Sequence, residues 1–248
     1  MYPVIYLLAA FILLGAVGMA IANRKADKKT GRQRWIKYFS YLIITGVIIG
    51  SFFTKLFPSV AIIILGFGYA ELSRAFFRRN EHRIQTIVLV YSGYSLIGPG
   101  FLAFAFIFKP DFQFYLYLQV IIFDAFCQIT GQLFGKTQLV PAISPAKTVE
   151  GLAGGSVLCI LTAYLAAAWM GLNELPAAIC GLITAITALG GDLLASSVKR
   201  KAGIKDYSGW LPGQGGFLDR FDSFLMTGFV YYLLGATILK DFLLKFLN

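Results

Sequence analysis

IQTIVLVYSGYSLIGPGFLAFAFIFKPDFQFYLYLQVIIFDAFCQITGQLF, residues 84–134, decides the fold. Two apolar runs, Ile84–Phe108 and Phe112–Phe134, flank the short break Lys109-Pro110-Asp111. Each is about as long as the roughly 20 residues a helix needs to cross hydrocarbon. Inside a bilayer the backbone must satisfy its own hydrogen bonds, so a spanning segment is a helix or part of a closed barrel. Continuous apolar runs of this length, without strand-like alternation, predict helices. Gly98-Pro99-Gly100 lies inside the first run and admits a break there.

The same signature recurs on both sides, at Tyr2–Ala22, Tyr38–Phe53, Leu56–Leu72, Gly151–Met170, Leu175–Ser196 and Phe224–Leu239, for eight segments in all. Composition agrees: of 248 residues 58% are hydrophobic, mean hydropathy is +0.72, and 14% are charged, against roughly 25% in soluble domains. The expected fold is all-α, a polytopic membrane bundle of about eight transmembrane helices with active-site loops on the cytoplasmic side. No composition shift marks a domain boundary, so 1–248 reads as a single integral-membrane domain, with N-terminal spans over 1–111 and the chemistry over 112–248. No small-residue cleavage site follows Tyr2–Ala22, which reads as a retained anchor.

Basic residues set the orientation. The first, third, fifth and seventh connections (Asn23–Lys37, Ser73–Arg83, Gly135–Glu150 and Ser197–Ser223) hold 18 of the 22 lysines and arginines. By the positive-inside rule these loops are cytoplasmic and both termini lie outside. A split fourth segment would reverse the parity of everything after it, so the charge count favours eight crossings. Asn23–Lys37 and the Arg74–Arg83 cluster read as topology signals that also attract anionic headgroups. Because the net charge of +10 follows the spans in this way, it does not indicate nucleic acid. Cys127, Cys159 and Cys180 lie in apolar stretches without metal-site spacing and read as packing residues. The sole histidine, His82, excludes chemistry that needs two histidines from one chain.

Three of the 12 acids fall within or at the ends of spans: Glu71, Asp124 and Asp192. An ionisable group at such depth is costly unless paired, hydrated or ligating. Beside a basic loop, Glu71 is expected to pair with Arg74 or Arg78. Asp124, Gln128 and Gln132 recur every four residues and share one helix face, with Asp124 about 15 Å from the cytoplasmic end. They form either the wall of a polar cavity open to the cytoplasm or a buried hydrogen-bond network between helices.

The seventh loop region, read from Gly191, runs GDLLASSVKRKAGIKDYSGWLPGQGGFLDRFDS. Lysines and arginines neutralise phosphate oxygens, a glycine-rich turn lets backbone N–H groups approach an anion, and carboxylates hold the hard Mg²⁺ ion. These are the parts that nucleoside triphosphate chemistry requires.

At this loop the sequence resembles the phosphatidate cytidylyltransferase, or CDP-diacylglycerol synthase, family. That signature runs Ser-x-apolar-Lys-Arg, then Lys-Asp, a Pro-x-His-Gly-Gly turn and Asp-Arg-x-Asp. Ser196, Lys199, Arg200, Lys205, Asp206, Pro212, Gly215, Gly216, Asp219, Arg220 and Asp222 fall in its register. Ser144-Pro145-x-Lys147-Thr148-x-Glu150-Gly151 and the helix from Asp124 through Gly131 to Leu133–Lys136 are similar to two further family stretches. The signature histidine is Gln214 here, and the serine and tyrosine that commonly follow the helix aspartate are Ala125 and Gln128. The likeness covers roughly Asp124 to Ser223; the residues before it agree only in being apolar spans.

The resemblance implies transfer of CMP from CTP to a lipid phosphate, giving a CDP-lipid and pyrophosphate, at the cytoplasmic face of a cell membrane. A phosphomonoester is largely dianionic at neutral pH, so the nucleophile needs no strong base. Asp192 and Asp219 are expected to bind Mg²⁺, with Asp222 as a further ligand and a second cation admitted. Lys199, Arg200, Lys205 and Arg220 would offset phosphate charge, with Asp206 and Gln214 in the same catalytic loop. Asp124, Ser144, Lys147, Thr148, Glu150, Gly215 and Gly216 would bind substrate. A homodimer is suggested by the resemblance alone. The rival readings are a CTP-dependent lipid kinase, which would need a base to activate a hydroxyl, and a silent lipid-binding or transport relative. A CDP-alcohol phosphotransferase lacks its Asp-Gly-x-x-Ala-Arg stretch here. Transporters place ionisable groups at the midplane, whereas only Asp124 is deep in this chain.

Overall fold

A computed structural model describes residues 27–77, 84–170 and 173–236, with the isolated positions 16, 20, 23 and 24. Helices α1 (Lys28–Phe53), α2 (Phe57–Phe77), α3 (Ile84–Ile107) and α4 (Pro110–Phe134) are followed by a hairpin of β1 (Gln138–Val140) and β2 (Ser144–Thr148). Helices α5 (Val149–Met170), α6 (Glu174–Lys201) and α7 (Phe217–Ala236) complete the order. Six of these helices, α1 to α6, are long and apolar enough to cross a membrane. The chain is a multi-pass, all-α membrane bundle. Nearly all of the expected span Tyr2–Ala22, and Arg78 and His82 of the basic cluster, lie outside the described residues.

Local chemistry sets the helix ends. Asp27 caps α1, its carboxylate accepting from the backbone N–H groups of Lys29 and Thr30 at 3.1 Å. Hydrogen bonds from Thr30 and Lys29 hold that carboxyl below its ordinary range. Pro110 opens α4, where a missing N–H costs nothing. At the tight α3–α4 corner, buried Gln113 donates from Nε2 to the carbonyls of Ala105 and Phe108, both at 2.8 Å, satisfying acceptors that the end of α3 leaves over.

The fourth segment does not break. Helix α3 runs continuously through Pro99, as membrane helices tolerate when their neighbours shield the freed backbone. Gly100, beside the proline, serves packing: a Cβ there would strike the Phe229 ring of α7.

Helix α5 packs between α4 and α6, and α7 contacts α2, α3, α4 and α6. Close approach of α5 to α4 depends on small residues, because a Cβ at Gly154 would meet Thr130 and one at Gly155 would meet Cys127. One apolar core joins all the helices, with Phe52, Phe57, Phe101, Phe104, Phe112 and Phe224 fully buried in it. Leu89, Leu96, Val157, Leu165 and Ile186 point outward, as a lipid-facing surface requires.

The polar connections are shorter and more ordered than the sequence suggests. Residues 135–150 form an antiparallel hairpin with an irregular register between Gln138 and Val140. Helix α6 continues to Lys201 and α7 begins at Phe217. Much of the seventh-loop motif therefore sits on two helix ends rather than in a loop.

Candidate active site

Where α4, the hairpin, α6 and α7 meet, they enclose a cavity of about 460 Å³, within the usual range for small-molecule sites. Asp124, Gln128 and Gln132 line it from α4 and Ser144, Lys147 and Thr148 from the hairpin. Asp192 and Lys199 line it from α6, and Asp219, Arg220 and Asp222 from α7. The expected Asp124 face is thus a cavity wall. Stretches more than 90 residues apart in sequence converge here.

The charges lining the cavity pair with one another. Lys147 forms an ion pair with Asp192, joining the hairpin to α6, and Ser196 donates to the other oxygen of Asp192 at 3.2 Å. Lys199, 9% exposed, donates to Asp219 Oδ1 at 2.7 Å. Asp219 Oδ2 accepts from the backbone N–H groups of Tyr207 and Gly216, both at 2.8 Å. Asp219 therefore folds the glycine turn back onto the start of α7. Burial, reinforced by the carboxylates of Asp222 and Asp219, pushes the neighbouring Tyr207 phenol well above its ordinary range.

The turn itself is internally satisfied. Gly213 and Gly215 adopt positive φ of 73° and 82°, conformations natural to glycine. Leu211 N–H donates to Gly215 O and Gln214 N–H to Leu211 O, both at 2.9 Å. The Gly216 N–H, in the turn expected to cradle an anion, is spent on Asp219, and that of Gln214 on Leu211. Gly216 cannot be enlarged because a Cβ would strike the Glu71 carboxylate.

That contact reveals a residue whose role the sequence did not disclose. Glu71 is fully buried. It does not pair with Arg74, which instead lies over the Trp210 ring at 4.4 Å. Its carboxylate accepts from Ser208 Oγ at 2.5 Å, Phe217 N–H at 3.0 Å and Leu218 N–H at 2.9 Å. Through these bonds α2 caps the first turn of α7, where the helix dipole favours an anion. Its burial at the end of an apolar span was the signal; its partners, nearly 140 positions away, were not readable.

Several expected site residues stand outside the cavity. Arg200 donates to the carbonyls of Ile143 (3.1 Å) and Ile204 (3.2 Å), clamping the hairpin to the end of α6. Glu150 accepts from the backbone N–H groups of Lys136 and Thr137 and closes the α4–β1 corner. Lys205 and Asp206 are exposed and do not line the cavity. Gln214 donates from Nε2 to the Lys37 carbonyl on α1 and accepts from Arg220 Nη1, both at 2.8 Å. Its amide is committed to protein at both ends. Arg220 also lies over the Tyr41 ring, 5.1 Å from its centre.

Among the described residues, no three His, Cys, Asp or Glu side chains converge closely enough to hold a metal by themselves. The donor chemistry nonetheless suits Mg²⁺. Hard carboxylate oxygens line a cavity whose lysines and arginine suit phosphates, and Mg²⁺ is usually held by one or two carboxylates with water and substrate phosphate completing its shell. Asp192 and Asp219 each retain lone-pair capacity beyond the bonds described.

A family model described as the cytidylyltransferase family matches residues 2–238 of this chain, and the chain belongs to that family. It is similar to a phosphatidate cytidylyltransferase of Aquifex aeolicus, with 31% identity over 93% of this chain and 84% of that protein. A phosphatidate cytidylyltransferase of Staphylococcus haemolyticus is 31% identical over 71% of this chain and 68% of its own length. The protein YnbB of Escherichia coli, described as uncharacterized, is 39% identical over a shorter region, 41% of this chain.

Proposed function

We propose that this protein transfers CMP from CTP to phosphatidate, releasing pyrophosphate and leaving CDP-diacylglycerol in the membrane. The observation that carries this reading is the polar cavity between membrane helices in which Lys147, Lys199 and Arg220 meet Asp124, Asp192 and Asp222. The two relatives named phosphatidate cytidylyltransferase support the choice of lipid. A phosphate oxygen of the lipid attacks the α-phosphorus of CTP, and the bond to the β-phosphate oxygen breaks as pyrophosphate departs. The attacking oxygen arrives ionised, so the protein's task is to hold two polyanions together and to stabilise charge on the leaving group. Lys147, Lys199 and Arg220 supply that positive charge. The Lys147 ammonium has three donors, so its ion pair with Asp192 leaves others for a phosphate.

Bound Mg²⁺ would offset charge along the triphosphate, and Asp192, Asp219 and Asp222 are the side chains that would hold it. The charge distribution supports an active site facing the cytoplasm of a cell membrane, with both termini outside. The test incubates purified protein with Mg²⁺, a panel of lipid phosphates and alcohols, and CTP labelled separately at the α- and γ-phosphates. Transfer of the α-label to phosphatidate is expected. Transfer of only the γ-label to an alcohol would instead define a lipid kinase.

A further inference from the structure

Beside the polar cavity lies a second one, of about 330 Å³, between α2, α3, α6 and α7. Its walls are almost wholly apolar, with Leu89, Leu194 and Leu225 on three different helices. Along α6 the lining runs from Gly191 to Lys201, a length of about 15 Å at the helical rise. Three features bear on what fills it. First, Asp222 lines both cavities, so the two spaces lie side by side at that residue. Second, the outer lip is open to the bilayer, since Leu89 and Leu194 are 62% and 50% exposed. Third, the end at Lys201 is basic, the other cations of that turn being Lys199 and Arg200.

An apolar slot of this kind rejects a nucleotide, which would leave its polar atoms unpaired. It suits a hydrocarbon chain that enters sideways without leaving the membrane. Building on the reading of the polar cavity as the site of CMP transfer, we propose that this slot seats an acyl chain of the lipid phosphate undergoing reaction. The phosphate then turns past Asp222 toward Lys199 and Arg220, and the chain fixes the depth at which it meets CTP. Lipid selection would thus reside in α3 and α6, while nucleotide selection resides in the polar cavity.

Gly93 offers a test, because it lines the slot and a Cβ built there meets nothing within 4 Å. Gly93→Phe should raise KM for dioleoyl phosphatidate at least tenfold, leave KM for CTP unchanged, and change KM for dihexanoyl phosphatidate less than threefold. In a parallel arm, wild-type protein is irradiated with phosphatidate bearing a diazirine on its acyl chain. Adducts on 89–97 and 194–198, competed by phosphatidate and not by phosphatidylcholine, are expected. Equal competition by both lipids would mean ordinary bilayer lipid fills the slot and would overturn the proposal, as would an unchanged chain-length dependence in Gly93→Phe. Wild-type turnover in the same preparation reports separately on the cytidylyl transfer itself.

Discussion

Replacing Gln214 with alanine should slow the enzyme through Arg220. The substitution removes an acceptor held 2.8 Å from the Arg220 guanidinium and the donor bond to Lys37. A hydrogen bond to a charged partner is worth about 1.5–3 kcal/mol, which corresponds to roughly 10- to 150-fold in a rate or binding constant. The Tyr41 ring continues to hold the guanidinium from one side, and such a contact retains about 0.5–1 kcal/mol. The expected loss in kcat/KM for CTP is therefore near the low end, about tenfold. Gln214→His should stay within about tenfold of wild type, since one ring nitrogen can donate to Lys37 while the other accepts from Arg220. The assay is steady-state CMP transfer in detergent micelles across a double-mutant cycle. If Gln214 acts through Arg220, adding Gln214→Ala to Arg220→Ala should cost less than about twofold. Fully additive losses would refute this coupling. A wild type devoid of transfer, rescued by Gln214→His, would refute the assignment of activity to the native chain.

Three other outcomes follow from the same geometry. Glu71→Gln puts an amide where three donors converge, and thermal unfolding in detergent should show a loss of about 1–3 kcal/mol with reduced turnover; an unchanged melting curve would mean the cap is dispensable. Asp192→Asn should abolish turnover while the protein stays folded, and Asp219→Asn should also lower Tm because it braces the turn. Undiminished wild-type turnover in excess chelator would remove the metal from the mechanism. Cysteines introduced at Thr30, Ala146 and Gly209 should label from the cytoplasmic side and one at Asn173 from outside; opposite labelling of Ala146 and Gly209 would separate the two loops that share the cavity.

The helices were legible because a bilayer imposes one rule on every span, and apolar length reports it directly. The continuity of α3 was not, because whether a proline breaks a helix depends on neighbours such as Phe229 that are distant in sequence. For the site, residue type told which groups could handle phosphate and the resemblance pointed to the hairpin, and Asp124, Lys147, Thr148, Asp192, Lys199, Asp219, Arg220 and Asp222 line one cavity. Residue type could not distinguish cavity-lining groups from those that brace the backbone. Arg200, Glu150 and Gln214 sit in the same motifs as their neighbours, yet each spends its polar atoms on protein. An arginine or a glutamate reads the same in a string whether it faces a ligand or the backbone. Only the path of the chain between them separates the two cases.

The Glu71 cap also imposes an order in time. Glu71 is synthesised well before Ser208, and its donors at Phe217 and Leu218 come later still, 146 and 147 positions along the chain. At translation speeds of about 5–20 residues per second, α2 waits on the order of ten seconds or more for the groups that satisfy its carboxylate. Until they arrive, an acid stands at the end of a membrane helix without its native partners, a costly arrangement. A nascent chain stalled before α7 would keep that exposed charge, a mark by which unfinished copies differ from finished ones. The N-terminal spans, which carry none of the motif, thus hold one half of a contact that closes only when the motif has been made.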